Sequence, residues 1–499
     1  LAADVVALDA VTNDDVGLIT LTSGTLKGTN ADVKTVMDHA ASDINGKDAI
    51  DLEITDAVSV ANIDHLDSLT TGVIKATMSA TAIATVKAVA ETGNALSATI
   101  KDANLSASDL NAFDAKTTGL ITIHSDVKTI SGNAADVTAA FSAASTEITG
   151  ITNQAVTISG GATVAQINTI AAGTSGVVTA TVTDTDMATL AGLTESGNAL
   201  DITVSDPATV NVSDLVTLYG KTTKPVTIGA NTANIKGTYA ELGTTLVNAN
   251  TAGTIIGAAS ANALDGVGLI VTDAIDVDQA DILSALASIG NITATISDTT
   301  MAKLNTLADQ TGNIYTITIT DTNIVAEELI TLEANTEGLI TLNGVTSIEG
   351  KQADVEDLLI DFGQDTLTNG VVTTPKSIVG IGAVNVTLDN SNGGAATYAM
   401  ADINKIIGAT TGIVTATVAA SGVNQDIDDL LGARVTGGTD SAAAIDESGH
   451  KLNITVNDES GGTALTASKL TLLNTLTTGS ITVAFSPIKV LTFLKINGN

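Results

Sequence analysis

The chain repeats one arrangement of apolar and polar positions along most of its length. In segments such as Gly176–Asp184 and Ile314–Asp321, apolar residues alternate with threonine or other small polar residues, and an aspartate ends the run. This alternation, rich in Val, Ile and Thr, predicts β-strands with one buried face. We take the last inward apolar residue of each strand as its anchor. The anchors are Leu21, Ile54, Met78, Ile100, Ile123, Ile158, Val182, Val204, Ile228, Val271, Ile296, Ile319, Leu342, Leu388, Val418, Val456 and Val483.

The anchors follow two periods. Neighbouring anchors are mostly about 23 residues apart, and a longer period groups them in fours. The first step within each group is longer and contains a similar phrase, such as Leu26–Val33 or Ile130–Val137, which predicts one additional short coil. The predicted super-repeats cover approximately residues 17–118, 119–223, 224–337 and 338–478, and a terminal strand and tail cover 479–499.

Short helices are predicted between the strands. Met187, Leu190 and Leu193 recur at three-residue spacing, which places them on one face of a helix. An aspartate precedes several of these segments, where a helix N-cap belongs, and a Thr-Gly or Gly-Asn pair follows them as a stop signal. The aspartates interpreted as N-caps are Asp184, Asp206, Asp298 and Asp321.

These elements predict an α/β fold. We expect an elongated solenoid of strand and short-helix coils, each of about 23 residues, with one continuous parallel sheet through residues 1–499. A coil of this size cannot bury its apolar face alone, so the coils must stack on one another. Strands stacked about 4.8 Å apart would make a body roughly 80 Å long. The alternative is an all-β solenoid in which the helical segments are turns.

Two segments, Asp109–Ile123 and Thr181–Leu190, resemble the repeats of very large secreted or cell-surface proteins of marine bacteria, cyanobacteria especially. The resemblance covers nearly the whole chain. It implies an extracellular or cell-envelope role in a filament, a surface layer or an adhesin stalk, and it brings no catalytic residues. The leucine spacing is also similar to that of leucine-rich repeats, although the full asparagine-ladder formula of that family is missing.

Charge and composition narrow the classes of function. The chain has 20 basic and 55 acidic residues, a net charge of −35, whereas nucleic-acid binding needs a basic face. The negative charge favours solubility and binding of divalent cations. No segment is apolar enough for membrane insertion, and there is no cysteine. Aromatic residues make up 2 % of the chain, which disfavours an enzyme that stacks sugars on aromatic rings.

No catalytic constellation is evident in the sequence. The chain lacks the Gly-x-Ser-x-Gly motif and the glycine-rich loops that bind nucleotides. Its histidines lie in different coils and are predicted to be on the surface: His39, His65, His124 and His450. We therefore predict that the protein is not an enzyme.

The recurring acidic residues near strand ends suggest a calcium site. Stacked coils would align their carboxylates into a column that could hold Ca²⁺. Helix capping explains the same residues and is the favoured interpretation, because neither the EF-hand spacing nor the glycine-rich calcium repeat occurs. The candidate ligands are Asp184, Asp186, Asp276, Asp278, Asp426 and Asp428. No other cofactor is predicted.

The outward face of the strands is rich in threonine. A flat threonine array would suit binding to ice or to another surface, while the high β-propensity of threonine explains the same pattern without a ligand. Lys75, Asp201 and Asn453 interrupt this face. The candidate surface-binding residues are Thr179, Thr181, Thr293, Thr295, Thr316 and Thr318.

The sequence favours a non-catalytic structural protein that is extracellular or at the cell surface. The alternatives are a surface- or ice-binding module that uses the threonine face, and a component of a virus fibre. The expected partners are flanking repeats or copies of the chain, joined end to end, and the cell envelope. Because the repeat pattern has no evident N-terminal cap, we expect the native molecule to continue, covalently or by end-to-end contact.

Overall fold

The chain forms two compact units. The first comprises Leu1–Ala233 and Leu246–Ala263, and the second comprises Asn234–Thr245 and Leu264–Asn499. Both units are α/β, with parallel sheets and short helices. A computed structural model describes residues 1–12, 18–144, 146–257, 264, 266–286, 289–308, 312–363, 366–368, 371–374, 376–388, 397–419, 427–434, 444–445, 447–457 and 465–484.

The helices are mostly one to three turns long. The α-helices are α1 (Ala2–Thr12), α2 (Asn30–Asp38), α3 (Val60–Asp67), α4 (Ile83–Val86), α5 (Ala107–Asp114), α6 (Ala134–Ser142), α7 (Val164–Gly173), α8 (Met187–Leu190), α9 (Val212–Tyr219), α10 (Val247–Thr251), α11 (Val277–Ser284), α12 (Met301–Leu304), α13 (Ala326–Ala334), α14 (Gln352–Glu356), α15 (Met400–Ala409), α16 (Ile427–Leu431) and α17 (Ala467–Leu476). The π-helical segments are Glu241–Leu246 and Asp357–Phe362, and the 3₁₀ turns are Ile151–Asn153, Ile381–Ala383 and Gly432–Arg434.

The strands are short and regularly spaced. They are β1 (Ile19–Thr20), β2 (Thr25–Gly28), β3 (Ile44–Asn45), β4 (Asp51–Val58), β5 (Ile74–Met78), β6 (Ala95–Ile100), β7 (Asn104–Ser106), β8 (Ile121–Ile123), β9 (Thr129–Gly132), β10 (Ile148–Thr149), β11 (Ala155–Ile158), β12 (Val178–Thr181), β13 (Ala199–Val204), β14 (Thr209–Asn211), β15 (Val226–Ile228), β16 (Asn234–Gly237), β17 (Ile255–Gly257), β18 (Gly268–Ile275), β19 (Ile292–Ile296), β20 (Ile314–Ile319), β21 (Asn323–Val325), β22 (Ile340–Leu342), β23 (Ser347–Gly350), β24 (Thr366–Thr368), β25 (Val371–Thr374), β26 (Ile378–Val379), β27 (Asn385–Leu388), β28 (Val414–Thr417), β29 (Lys451–Asn457) and β30 (Ile481–Ala484).

The first unit contains two successive parallel sheets. One has the strand order β10-β8-β6-β5-β4-β2, and the other has the order β17-β15-β13-β12-β11-β9-β7. A short parallel pair, β1 with β3, precedes them. Each neighbour in these sheets belongs to an adjacent coil, because a helix or turn separates consecutive strands of the chain.

The second unit repeats this arrangement. Strands β16, β18, β19, β20, β22 and β26 pair in that order, and a further sheet has the order β21-β23-β27-β28-β29-β30. All of these pairs are parallel. Strands β24 and β25 instead form an antiparallel hairpin.

Four longer strands shift the pairing along the chain. In β6, residues 95–97 pair with β5 while residues 98–100 pair with β8. Strands β13, β20 and β29 divide in the same way between the preceding and the following strand. The strand pairing therefore moves toward the carboxyl end of these strands, and a new sheet begins on the next segment of the same coil.

This shift corrects the prediction of one continuous parallel sheet, because each unit contains overlapping successive sheets. The all-β alternative is also wrong, because α-helices follow the strands in both units. The two copies of the extra phrase that start at Leu26 and Ile130 each form a strand and the start of a helix, as predicted.

One anchor of each super-repeat is displaced. Met78 pairs with Val58 rather than with Ile54, because the register of β4 shifts between Glu53 and Ala57. In the other super-repeats the next anchor also pairs beyond the predicted residue. Its partners are Ala162 rather than Ile158 for Val182, Ile275 rather than Val271 for Ile296, and Tyr398 rather than Leu388 for Val418. Alternation alone cannot reveal such a shift, because the residues before and after it are both apolar.

The core is built from aliphatic side chains with few rings. Val178, Ala180 and Val182 point inward along β12 and its extension, and all three are buried as the alternation predicts. Phe113 and Tyr315 are the largest fully buried side chains of the described residues. Small aliphatic layers of this kind suit thin coils that pack on one another.

Candidate functional site

Aspartates near the strand ends cap the helix of the preceding coil. Asp184 Oδ2 accepts a hydrogen bond from the N–H of Val164, the first residue of α7, at 2.7 Å. Asp206 Oδ2 accepts likewise from the N–H of Met187, the first residue of α8, at 3.0 Å. The same contact joins Asp102 to Ile83, Asp298 to Val277 and Asp321 to Met301, at 2.7, 2.8 and 2.7 Å.

This geometry corrects the predicted position of the caps. Asp184, Asp206, Asp298 and Asp321 were expected to cap the helix that follows each of them, and that expectation is wrong. Each of them bonds to a helix that begins 19 to 21 residues earlier in the chain. The first N–H groups of a helix lack intrahelical partners, and a carboxylate there is also favoured by the helix dipole. The next coil thus supplies the start of each of these helices with a hydrogen-bond acceptor and a negative charge.

The helices also have caps from their own coil. Asp186 Oδ1 accepts from the Thr189 N–H at 2.9 Å, and this hydrogen bond holds the pKa of Asp186 below its ordinary value. Asp276 forms a capping box with Gln279, with hydrogen bonds of 2.8 and 3.1 Å. Helices α7, α8 and α11 therefore each have one N-terminal side-chain cap from their own coil and one from the next coil.

The predicted calcium ligands have protein partners. Asp184, Asp186 and Asp276 cap helices, as described above. Asp278 pairs with Lys303 at 2.7 Å, and Asp428 pairs with Lys469 at 2.5 Å. Asp426 lies outside the described residues. Within the described part of the chain, no group of three or more His, Asp or Glu side chains converges to hold a metal ion. Calcium binding stays a prediction.

A ladder of polar side chains, all of them buried except the half-buried Thr174, joins the starts of adjacent strands. Thr336 Oγ1 accepts from the Tyr315 N–H at 2.8 Å and from the Gly338 N–H at 2.9 Å, and it donates to the Tyr315 carbonyl at 3.0 Å. Thr117 and Thr477 make the same three contacts. The members of this ladder are Thr70, Asn94, Thr117, Thr174, Asn198, Thr222, Asn313, Thr336, Thr410, His450 and Thr477.

One coil of each super-repeat has a different ladder residue, preceded by a glycine with positive φ. Asn94, Asn198 and Asn313 accept a strand N–H of the preceding coil through Oδ1, at 2.8, 2.9 and 2.8 Å. In the last such coil His450 takes this position, and its Nδ1 accepts from the Val414 N–H at 3.0 Å. His450 is buried, so the prediction that it lies on the surface is wrong.

Six of the seven ladder threonines are followed two residues later by a glycine at a close backbone approach. The exception is Thr222, which is followed by Lys224, whose N–H donates to Thr222 Oγ1 at 3.1 Å. A Cβ atom at Gly338 would lie 2.1 Å from the Tyr315 carbonyl oxygen, and one at Gly119 would lie 2.5 Å from that of Leu96. At these two glycines a Cβ atom would clash with the neighbouring backbone, so the absence of a side chain permits the close approach. The Thr-Gly pair Thr118-Gly119, which the sequence predicts to be a helix stop and turn, therefore also marks a contact between coils.

Polar residues on the helices form a third link between coils. The side-chain oxygen of each accepts an N–H from the turn after the following helix. The pairs are Asp64 with Ala90, Asn168 with Thr194 and Asp281 with Ala308, at 3.0, 3.1 and 3.0 Å. A cleft of about 550 Å³ lies beside the first pair, and its Asp67 accepts from Asn94 Nδ2 at 2.7 Å. These carboxylates thus belong to the inter-coil network.

Lysines complete the network at the carboxyl ends of helices. Lys116 Nζ donates to the Val89 carbonyl at 2.6 Å, and Lys221 Nζ donates to the Thr194 carbonyl at 2.9 Å. Lys47 is buried and donates to two carbonyls at the end of α2, and burial lowers the pKa of its ammonium. Sequence reasoning missed these lysines, although each follows a helix where a cation suits the dipole.

The outward threonines form short rows. Thr295 and Thr316 are partners on adjacent strands, and both are exposed. Thr293 lies beside Ile314, and Thr318 lies beside Thr341. In the first unit Thr179 lies between Thr157 and Ala199, and Thr181 lies beside the exposed Asp201. The six predicted residues point outward, as expected, but apolar and charged side chains separate their rows.

No protein-family model matches the chain, and neither a curated protein nor a solved structure is similar to it. None of the helices in the described ranges is long and apolar enough to cross a membrane.

Proposed function

We propose that this chain is a non-catalytic structural segment, in which each unit is an α/β solenoid of stacked coils. The observation that carries the proposal is that the recurring polar residues of the repeat bind backbone groups of the neighbouring coil. The strand-end aspartates, the ladder and the helix Asp and Asn residues all do this. Their hydrogen bonds span about one coil of sequence, between 19 and 36 residues.

The hydrogen bonds between coils give a physical reason for the recurrence of the same polar residues along the chain. A coil of about 23 residues gains little by burying its own apolar face, so its stability depends on its neighbours. Here the following coil also supplies a helix cap, as at α7, α8 and α11, and hydrogen-bond partners for the start of a strand, as at Tyr315. Buried N–H and carbonyl groups left without these partners would each cost about 1–3 kcal/mol. Such coupling between neighbouring coils suits a structural protein, because no coil can unfold without cost to the next.

The proposed location is outside the cell or at its surface. The resemblance to secreted repeats supports it, and so does the net charge of −35, which favours solubility in salt-rich water. The proposed partners are flanking repeats or copies of the chain, joined end to end, and the cell envelope. We propose that the segment serves in a filament, a surface layer or an adhesin stalk.

Microscopy and labelling of native material test this function. We expect an antibody against the chain to label intact cells, and negative staining to show the antigen in fibres, stalks or a regular layer. Labelling that requires cell lysis, or isolated compact particles that carry the antigen, would contradict the proposal.

A surface-binding module is the second candidate function. The paired exposed threonines Thr295 and Thr316 favour it, because they place hydroxyl and methyl groups side by side on adjacent strands. A measurement of thermal hysteresis tests the ice-binding form of this proposal. Ice crystals that keep their ordinary shape and growth rate in the presence of the protein would rule it out.

A further inference from the structure

We infer that His450 is a pH-sensitive latch that holds β29 to β28 and releases this pair when its ring is protonated. His450 occupies the ladder position that Asn94, Asn198 and Asn313 fill in the equivalent coils. An amide oxygen accepts a hydrogen bond at any physiological pH, whereas an imidazole nitrogen accepts only while it carries no proton.

The geometry fixes the state of the ring. Val414 is the first residue of β28, and its N–H donates to His450 Nδ1 at 3.0 Å. Nδ1 must therefore be unprotonated in the folded coil. The His450 backbone is held from the other side, because its carbonyl accepts from the Thr478 N–H at 2.9 Å and from the Thr477 hydroxyl at 3.2 Å. The residue thus lies between two coils and bonds to both.

Protonation would break this arrangement. A proton on Nδ1 would face the Val414 N–H, so two donors would meet and a charge would be buried. The segments bonded to His450, β28 and the turn 477–479, contain no titratable residue that could compensate. On the segment that contains His450, Glu447 is exposed and favours the charged form of the ring. Lys451 follows His450 directly and is exposed on β29.

The direction of the pH effect follows from burial. Burial lowers the pKa of His450 below its ordinary value of 6.5, and Glu447 offsets this only in part. At pH values between the pKa of His450 in the folded coil and its pKa in the unfolded chain, the unfolded chain binds a proton that the folded coil does not. The stability that the latch contributes is therefore fully present above about pH 6.5, begins to decrease as the pH falls below that value, and is lost as the pH falls through the lowered pKa of the folded coil. Coils with asparagine at this position lack this dependence.

Amide hydrogen exchange of the full chain tests the inference. At pH 7.5 and pH 5.0, after correction for intrinsic exchange, we expect the protection of Val414 to fall at least tenfold at the lower pH. Val178 and Ile292, which bond to Asn198 and Asn313, should keep their protection. The variant His450→Asn should remove the pH effect at Val414, and His124→Asn should leave it unchanged.

A titration of the unmodified protein covers the case in which His450→Asn does not fold. We expect the His450 ring signals and the Val414 amide signal in NMR spectra to titrate with one common midpoint below pH 6.5. Equal protection of Val414 at both pH values, the same loss in His450→Asn, or separate midpoints for ring and amide would each overturn the inference.

Discussion

Threonine occupies two kinds of position in the second unit. Thr336 is buried before the start of a strand and makes four hydrogen bonds, three of them to the backbone of Asn313 and Tyr315 in the neighbouring coil. Thr316 lies on the outward face of β20, is exposed, and neighbours Thr295 across the strands. The same side chain connects coils in one place and faces outward from a strand in the other, where it suits the strand conformation. Burial, rather than the abundance of threonine, thus distinguishes the two roles.

The largest expected effect comes from the backbone approach beside Thr336. In Gly338→Ala the new Cβ would lie 2.1 Å from the Tyr315 carbonyl oxygen, so the two coils must move apart. We expect a loss of more than about 3 kcal/mol, because the steric clash and the broken ladder bonds combine. Thermal unfolding followed by circular dichroism measures it. As a control, Gly408→Ala meets no atom within 4 Å and should be neutral or stabilise α15 by up to about 1 kcal/mol.

Removing the hydroxyl of Thr336 should have the next largest effect. Thr336→Val keeps the shape of the side chain but leaves the N–H and carbonyl of Tyr315 without this partner. We expect a loss of about 2–4 kcal/mol, measured as faster amide exchange at Tyr315 and Gly338.

The matched substitution on the outward face sharpens this comparison. Thr316→Val should change stability by less than about 0.5 kcal/mol, because the residue is exposed and valine is also a good strand former. Equal losses in Thr316→Val and Thr336→Val would show that the ladder hydroxyl has no special role.

The inter-coil cap should have a smaller effect than the ladder. Asp184→Ala removes the acceptor of the Val164 N–H at the start of α7, while the own-coil capping box of α7 remains. We expect a loss of about 1 kcal/mol in thermal or denaturant unfolding. A gain in stability would contradict the assigned role, since it would mean that repulsion among carboxylates outweighs the cap.

The smallest expected effect is the titration of Asp186. The Thr189 N–H holds the pKa of this carboxylate below its ordinary value of 3.8. Its contribution to folding is therefore present above pH 3.8 and is lost as the pH falls through the lowered pKa. A carboxyl carbon titration by NMR should give a midpoint below 3.8, and a midpoint above that value would contradict the cap.

The sequence predicts the inward faces of the strands but not their neighbours. Alternation places Val178, Ala180 and Val182 inside, because a period of two is a local property. The register shift at Glu53 and Ala57 leaves no such local signal, so the anchor at Ile54 was misplaced. Strand and helix types follow from short windows of sequence, whereas pairing depends on which coils meet.

For the candidate site, too, the sequence predicts local features but not the contacts between coils. Aspartate near a helix start predicts a cap, and Asp184 and Asp186 are both caps. Sequence spacing could not show that Asp184 serves α7 of the preceding coil, because that contact joins residues 20 positions apart. The ladder was missed for a related reason. Its Thr-Gly and Gly-Asn pairs predict only helix stops and turns, whereas the buried hydrogen bonds of the ladder depend on the adjacent strand.

Amide exchange in three alanine variants tests most directly whether each coil caps the helix of the coil before it. We expect Asp184→Ala to lower protection at Val164, Asp206→Ala at Met187 and Asp186→Ala at Thr189, each without loss at the other two amides. If Asp184→Ala instead exposes Met187 and leaves Val164 protected, the caps act within one coil and the account of interlocked coils is wrong.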